Sequence, residues 1–161
     1  MKVLGLSHIL LSATNIAESK AFYVSVLGFE VLEEDPEHGG TFLALPGGTH
    51  IVDLVHTQAP RPPMPTLDEN YTPRPGMAHM AFHVESAEAL RDAYFELIDR
   101  GVNVLYAADH KSQQSVYFLD PDYNVLELAG SGRTPARFIL PDAAMKIPRS
   151  PSPAVDATRG D

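Results

Sequence analysis

The chain has 161 residues, 44% of them apolar and 20% charged, with a net charge of −9 and no cysteine. A chain of this length can bury roughly 70% of the surface its unfolded form exposes. The acidic balance, with Lys and Arg scattered, argues against a nucleic-acid partner; no apolar run reaches the about 18 residues that suggest a membrane span; and the missing thiols exclude disulfides, thiolate metal sites and a cysteine nucleophile. No charged and apolar leader opens the chain, so a cytoplasmic protein is expected, in which any metal rests on His, Asp and Glu.

Val3 to Leu11 is apolar around His8 and predicts a strand. Asn15 is an N-cap candidate for a helix carrying Ile16, Ala17, Ala21, Phe22, Val24 and Leu27, closed by Gly28. Phe29 to Leu32, Thr41 to Leu45 and His50 to His56 are short β-type runs separated by Pro and Gly clusters. This first unit, residues 1–56, reads βαβββ. Residues 57–75 hold six prolines, too many fixed dihedrals for a helix or central strand, and predict a linker. A second unit, residues 76–130, follows with a strand over His79 to Val84, a helix over Ala87 to Arg100 with Ser86 as N-cap candidate, Gly101 as its stop, and strands over Val102 to Tyr106, Ser115 to Leu119 and Val125 to Ala129. Asp120 to Tyr123 forms the turn between the last two. Residues 131–161 are an extension whose polar, Pro-rich end from about Ser150 predicts disorder.

The βαβββ unit thus occurs twice, and the repeat is visible residue by residue. Gly5 and His8 match Gly76 and His79 at an offset of 71, Gly28 matches Gly101 at 73, and Leu45 to Leu54 overlays Leu119 to Leu128 at 74, which sets Asp53 upon Glu127. The expected fold class is α+β, two tandem modules forming a cup-shaped, curved mixed sheet with helices outside. Equivalent positions should then face one another across a concavity, making His8 and His79 neighbours.

Strand alternation assigns faces. His79, Ala81 and His83 lie opposite Met80, Phe82 and Val84; Glu127 lies opposite Leu126 and Leu128; His8 shares a face with Leu6, Leu10 and Ser12. Two imidazoles and one carboxylate on inner strand faces form a ligand set that leaves adjacent positions open on Fe(II). The bland alternative is a pair of hydrogen-bonded core histidines and an ordinary edge acid. His38, His56 and His83 match no such role.

The tandem modules with His8, His79 and Glu127 resemble the vicinal-oxygen-chelate superfamily over residues 1 to about 130. It includes glyoxalase I, fosfomycin-resistance transferases, type I extradiol ring-cleavage dioxygenases and metal-free antibiotic-sequestering proteins. Within it, His110, Val116, Tyr117, Asp120, Pro121 and Glu127 are spaced like the extradiol dioxygenase signature, with Ala108 and Tyr123 departing from it, and Phe42, Leu43 and His50 are similar to a second dioxygenase stretch. The resemblance implies an Fe(II) enzyme, with Mn(II) as the other candidate ion, that cleaves a catechol-type ring with O2. His8, His79 and Glu127 would bind the metal and His50, His110 and Tyr117 would be catalytic, in a homo-oligomer. Asp53 keeps a second reading open, a glyoxalase-like lyase or isomerase with four protein ligands; a metal-free binding protein is the third. Tyr71, Met77 and Phe138 are candidates for an aromatic pocket.

Overall fold

The computed structural model describes residues 1–35, 37, 39–65, 75–110 and 113–131. The expectations for His38, Tyr71, Phe138 and the extension from 132 fall outside that set. Among the described residues no helix is long and apolar enough to cross a membrane.

The first module comprises β1 (Ile9–Ala13), α1 (Ile16–Ser25), β2 (Glu30–Asp35), β3 (Gly40–Ala44) and β4 (His50–His56); the second comprises β5 (Met80–Val84), α2 (Ala87–Asp99), β6 (Val104–Asp109), β7 (Gln113–Leu119) and β8 (Val125–Ser131). Each builds a four-stranded sheet, ordered β1-β4-β3-β2 and β5-β8-β7-β6, so β1 and β5 are edge strands. Both predicted N-caps act as such: Asn15 Oδ1 accepts from Glu18 N at 3.2 Å and Ser86 Oγ from Ala89 N at 3.1 Å, satisfying donors that have no partner inside the helix. Gly28 and Gly101 adopt φ of 73° and 71°, the left-handed conformation that lets each chain leave its helix.

Strand pairing corrects several predicted borders. The first strand begins at Ile9 rather than Val3 because β1 gains its hydrogen bonds from β4 alone, where Ile9 pairs with Val52 just past an irregularity near Ile51; Val3, Leu4 and Leu6 stay exposed. The repeat extends to register. Leu10 pairs with Asp53 and Phe42 with Asp53 in the first sheet, Ala81 with Glu127 and Tyr117 with Glu127 in the second. Bulges interrupt β2 between Val31 and Glu33 and β6 between Val104 and Tyr106 at matching places. The β3–β4 irregularity has no counterpart in β7–β8, so β3 overlays β7 at an offset of 75 while β4 keeps 74.

One core unites the modules. Leu11, Tyr23, Phe29, Leu43 and Val52 from the first form a single buried cluster with Met80, Leu90, Phe118 and Leu126 from the second, and Phe29 meets Phe82 edge to face at 5.4 Å. Above this apolar contact lies a polar joint. Asp122, in the turn before β8, accepts from Thr14 Oγ1 at 2.6 Å, Thr14 N at 3.1 Å and Ser19 Oγ at 3.1 Å, and Tyr23 OH donates to Asp120 Oδ2 at 3.0 Å. Burial pushes the Asp120 carboxyl above its usual range, partly offset by hydrogen bonds from Asn124, Tyr23 and the Asp122 backbone. Arg61, at the start of the linker, reaches the same turn, 3.6 Å from Asp122 Oδ1 and stacked over the Tyr123 ring.

Candidate metal centre

Glu127 is central to β8, and pairing with Ala81 brings the neighbouring chain of β5 alongside it. His79, two residues before Ala81, projects from the same face, and its Nε2 stands 2.9 Å from Glu127 Oε2. The other carboxylate oxygen accepts from Ser115 Oγ at 2.5 Å and, more distantly, from Gln113 Nε2 at 3.5 Å. Glu127 is 4% exposed, and buried polar oxygens of this kind call for such hydrogen-bond partners. Directly across the β7–β8 ladder is Tyr117. Its ring meets His79 edge to face at 5.4 Å, its hydroxyl is 3.3 Å from His110 Nε2, and Tyr106 stacks on it at 4.3 Å and 17°. Burial, then the negative charge of Glu127, pushes the Tyr117 hydroxyl far up, so the phenol stays protonated.

The first module carries a matching cluster. His8 Nε2 lies 3.6 Å from Asp53 Oδ2 and His50 Nε2 3.7 Å from Asp53 Oδ1, with the two imidazoles stacked at 5.0 Å. Asp53 is 5% exposed, and its Oδ1 has no hydrogen-bond partner among the described residues. A buried carboxylate with one unsatisfied oxygen, each oxygen facing one imidazole nitrogen, is the environment a divalent cation would complete. Ligand atoms of His8, His50 and Asp53 lie within 4.8 Å of one another.

All six residues singled out as metal ligands or catalytic groups therefore fall into two half-sites. His79, Glu127, His110 and Tyr117 gather in the second module; His8 and His50 gather in the first around Asp53. Among the described residues, His8, His50 and Asp53 form the one trio of potential ligands this close together, and His8, His79 and Glu127 do not form such a trio. His56 and His83 are exposed. Ser115 and Tyr106 escaped sequence reasoning. Face alternation from Glu127 and Tyr117 would have found Ser115, whereas Tyr106 owes its place to the bulge in β6, which shifts the alternation.

A cavity of about 420 Å³ lies between the modules beside His79, lined also by Leu11, Pro62, Pro65, Met77 and Tyr123. Of the three pocket candidates, Met77 is the one within the described residues, and it lines this space.

The family model described as Glyoxalase/Bleomycin resistance protein/Dioxygenase superfamily matches residues 5–128. Biphenyl-2,3-diol 1,2-dioxygenase 3 of Rhodococcus globerulus is 32% identical over 123 residues, 76% of this chain and 61% of that protein, so the chain spans less than two thirds of this relative. Metallothiol transferase FosB of Staphylococcus epidermidis is 31% identical over 131 residues, covering 77% of this chain and 81% of its own length. The crystal structure of a glyoxalase/dioxygenase from Nostoc punctiforme superposes with a TM-score of 0.65 at 22% identity, over 83% of this chain and 99% of that one, a likeness of fold.

Proposed function

Because the chain belongs to the glyoxalase/bleomycin resistance/dioxygenase superfamily, we propose that it is a metal-dependent extradiol dioxygenase that opens a catechol-type ring with O2. The observation that carries this reading is the His110–Tyr117 pair, 3.3 Å apart and set against the His79–Glu127 pair. A lyase working through an enediolate would leave this pair without a task.

His79 and Glu127 would hold the ion with His8, and the donor set suits Fe(II), with Mn(II) as the other ion it accommodates. When bound, the metal supplies two-point chelation of a vicinal diol and the redox capacity for reaction with O2. The protein's part is orientation and proton management. His110 Nε2 would take a hydroxyl proton from the diol, and the Tyr117 hydroxyl would hydrogen-bond a substrate oxygen. The stacked Tyr106 and Tyr117 rings offer an aromatic wall. His50 would serve as a proton donor from the other half-site.

The division of ligands between modules bears on assembly. With β1 and β5 as edge strands, each paired on one side among the described residues, and Leu6 and Leu10 exposed on the His8 face, we propose a homo-oligomer in which His79 and Glu127 of one subunit meet His8 of the partner subunit. Asp53 favours one second reading: its unpartnered Oδ1 is suited to a fourth ligand bond, as in a glyoxalase-like lyase.

Anaerobic loading with Fe(II), followed by a 3-substituted catechol and O2, distinguishes the two. Oxygen consumption with a yellow ring-opened product is expected. Turnover of a hemithioacetal supported by Ni(II) or Zn(II), with no oxygen uptake on any catechol, would overturn the dioxygenase reading.

A further inference from the structure

We propose that Ser115 is a positioning residue for the metal centre, its hydroxyl fixing one oxygen of Glu127 so that the other is presented as the ligand atom; this rests on the reading of Glu127 as a metal ligand. The terminal torsion of a glutamate is broad and roughly two-fold, so a carboxylate held only by its stem can offer either oxygen, or both. Ser115 removes that freedom. Its Oγ donates to Oε1 at 2.5 Å, a charge-assisted bond between groups 1% and 4% exposed that water cannot readily replace. Gln113 Nε2 approaches the same oxygen at 3.5 Å. Oε1 is thus engaged twice, while Oε2 faces His79 Nε2 at 2.9 Å. The hydroxyl makes the two oxygens inequivalent and aims one at the imidazole with which it would share an ion.

The internal repeat contains the comparison without the hydroxyl. Ser115 pairs with Ala129 two positions from the Tyr117–Glu127 pair, and Gly40 pairs with Val55 two positions from the Phe42–Asp53 pair. Gly40 therefore occupies in the first module the place of Ser115 in the second. It can donate nothing from a side chain, and Asp53 keeps a buried oxygen without a hydrogen-bond partner. The second module's carboxylate is held by a hydroxyl; the first module has no such donor at the equivalent position.

The test is the Mn(II) dissociation constant of the metal-free full-length protein, read from the electron paramagnetic resonance of free Mn(II), alongside thermal midpoints. Ser115→Ala should weaken binding by about 10- to 100-fold, and Ser115→Thr, which keeps the hydroxyl, should stay within about threefold of the unaltered protein. Ser115→Cys, near in volume but a weak donor, separates packing from hydrogen bonding: weaker Mn(II) binding with an unchanged thermal midpoint is expected. If Ser115→Ala and Ser115→Cys both bind Mn(II) as tightly as the unaltered protein, Ser115 has a packing role alone and the assignment falls while the metal centre stands. If the unaltered protein takes up no stoichiometric divalent metal, the metal reading falls and the assignment with it.

Discussion

Replacing Asp122 with alanine should cost about 3 kcal/mol of folding stability. Asp122 is 6% exposed and receives Thr14 Oγ1, Thr14 N and Ser19 Oγ from the other module. Hydrogen bonds to a charged acceptor contribute about 1.5–3 kcal/mol each. Ser19 is 1% exposed, so its hydroxyl loses its partner with no water to replace it, and the whole of one such bond is forfeited. Thr14 is half-buried and partly re-solvated on truncation, which brings its loss down to about 1 kcal/mol. The Arg61 contact at 3.6 Å is one-third exposed on the arginine side and adds a few tenths at most. For a domain of this size, about 3 kcal/mol corresponds to a fall in thermal midpoint of about 6–12 °C. Urea denaturation followed by far-ultraviolet circular dichroism, at one fixed protein concentration because an oligomer's stability depends on it, gives the number. Asp122→Asn keeps one acceptor oxygen and should cost about half as much. In a double-mutant cycle, Asp122→Ala and Ser19→Ala should couple by about 1 kcal/mol or more. A loss below about 0.5 kcal/mol for Asp122→Ala, or strictly additive single mutants, would refute the view that this turn joins the modules.

Further expectations follow from the same joint and from the sites. Burial holds the Asp120 carboxyl above its ordinary value, so its contribution to stability is complete below about pH 3.9, the unfolded value, and is lost as pH rises through the folded one. Tyr23→Phe removes a hydrogen bond that favours the ionised form and should move the Asp120 midpoint still higher in a ¹³C carboxyl titration; a downward move would contradict the assignment. Gly130→Ala would place a Cβ 2.9 Å from Ser86 O and 3.2 Å from Leu90 Cβ, so backbone at the α2 N-cap must shift, at about 1–3 kcal/mol in urea melts; wild-type stability would show that α2 moves freely. Glu127→Gln should weaken Mn(II) binding severely, since the amide oxygen can still ligate but the carboxylate's negative charge is lost; affinity unchanged from the unaltered protein would locate the ion elsewhere. Co-refolded His8→Ala and Glu127→Ala should recover about a quarter of wild-type metal sites, because randomly paired dimers have one intact composite site in each mixed pair; no recovery, with each variant inactive alone, would count against sites shared between subunits.

Local sequence determined much of this protein. Asn15 and Ser86 announce helix starts because a capping side chain acts within one turn. The equivalence of His8 with His79 and of Asp53 with Glu127 is readable because duplicated modules repeat their strand registers, and alternation then assigns each residue a face. The bulges were not legible: they change alternation by one residue without a distinctive side chain, and they decide where Tyr106 stacks and how β3 overlays β7. Nor could sequence anticipate that Asp122 would bind Thr14 and Ser19 across 108 and 103 positions. Such contacts depend on which strand edges meet and how two sheets dock, choices made by packing the Phe29, Phe82 and Phe118 side chains into one core. The residues for two imidazole–carboxylate half-sites are thus written in the chain. Which of them gather is a property of the tertiary structure, because sheet pairing and the docking of α1 on the Asp120–Asn124 turn leave His8, His50 and Asp53 as the one close trio of potential ligands among the described residues.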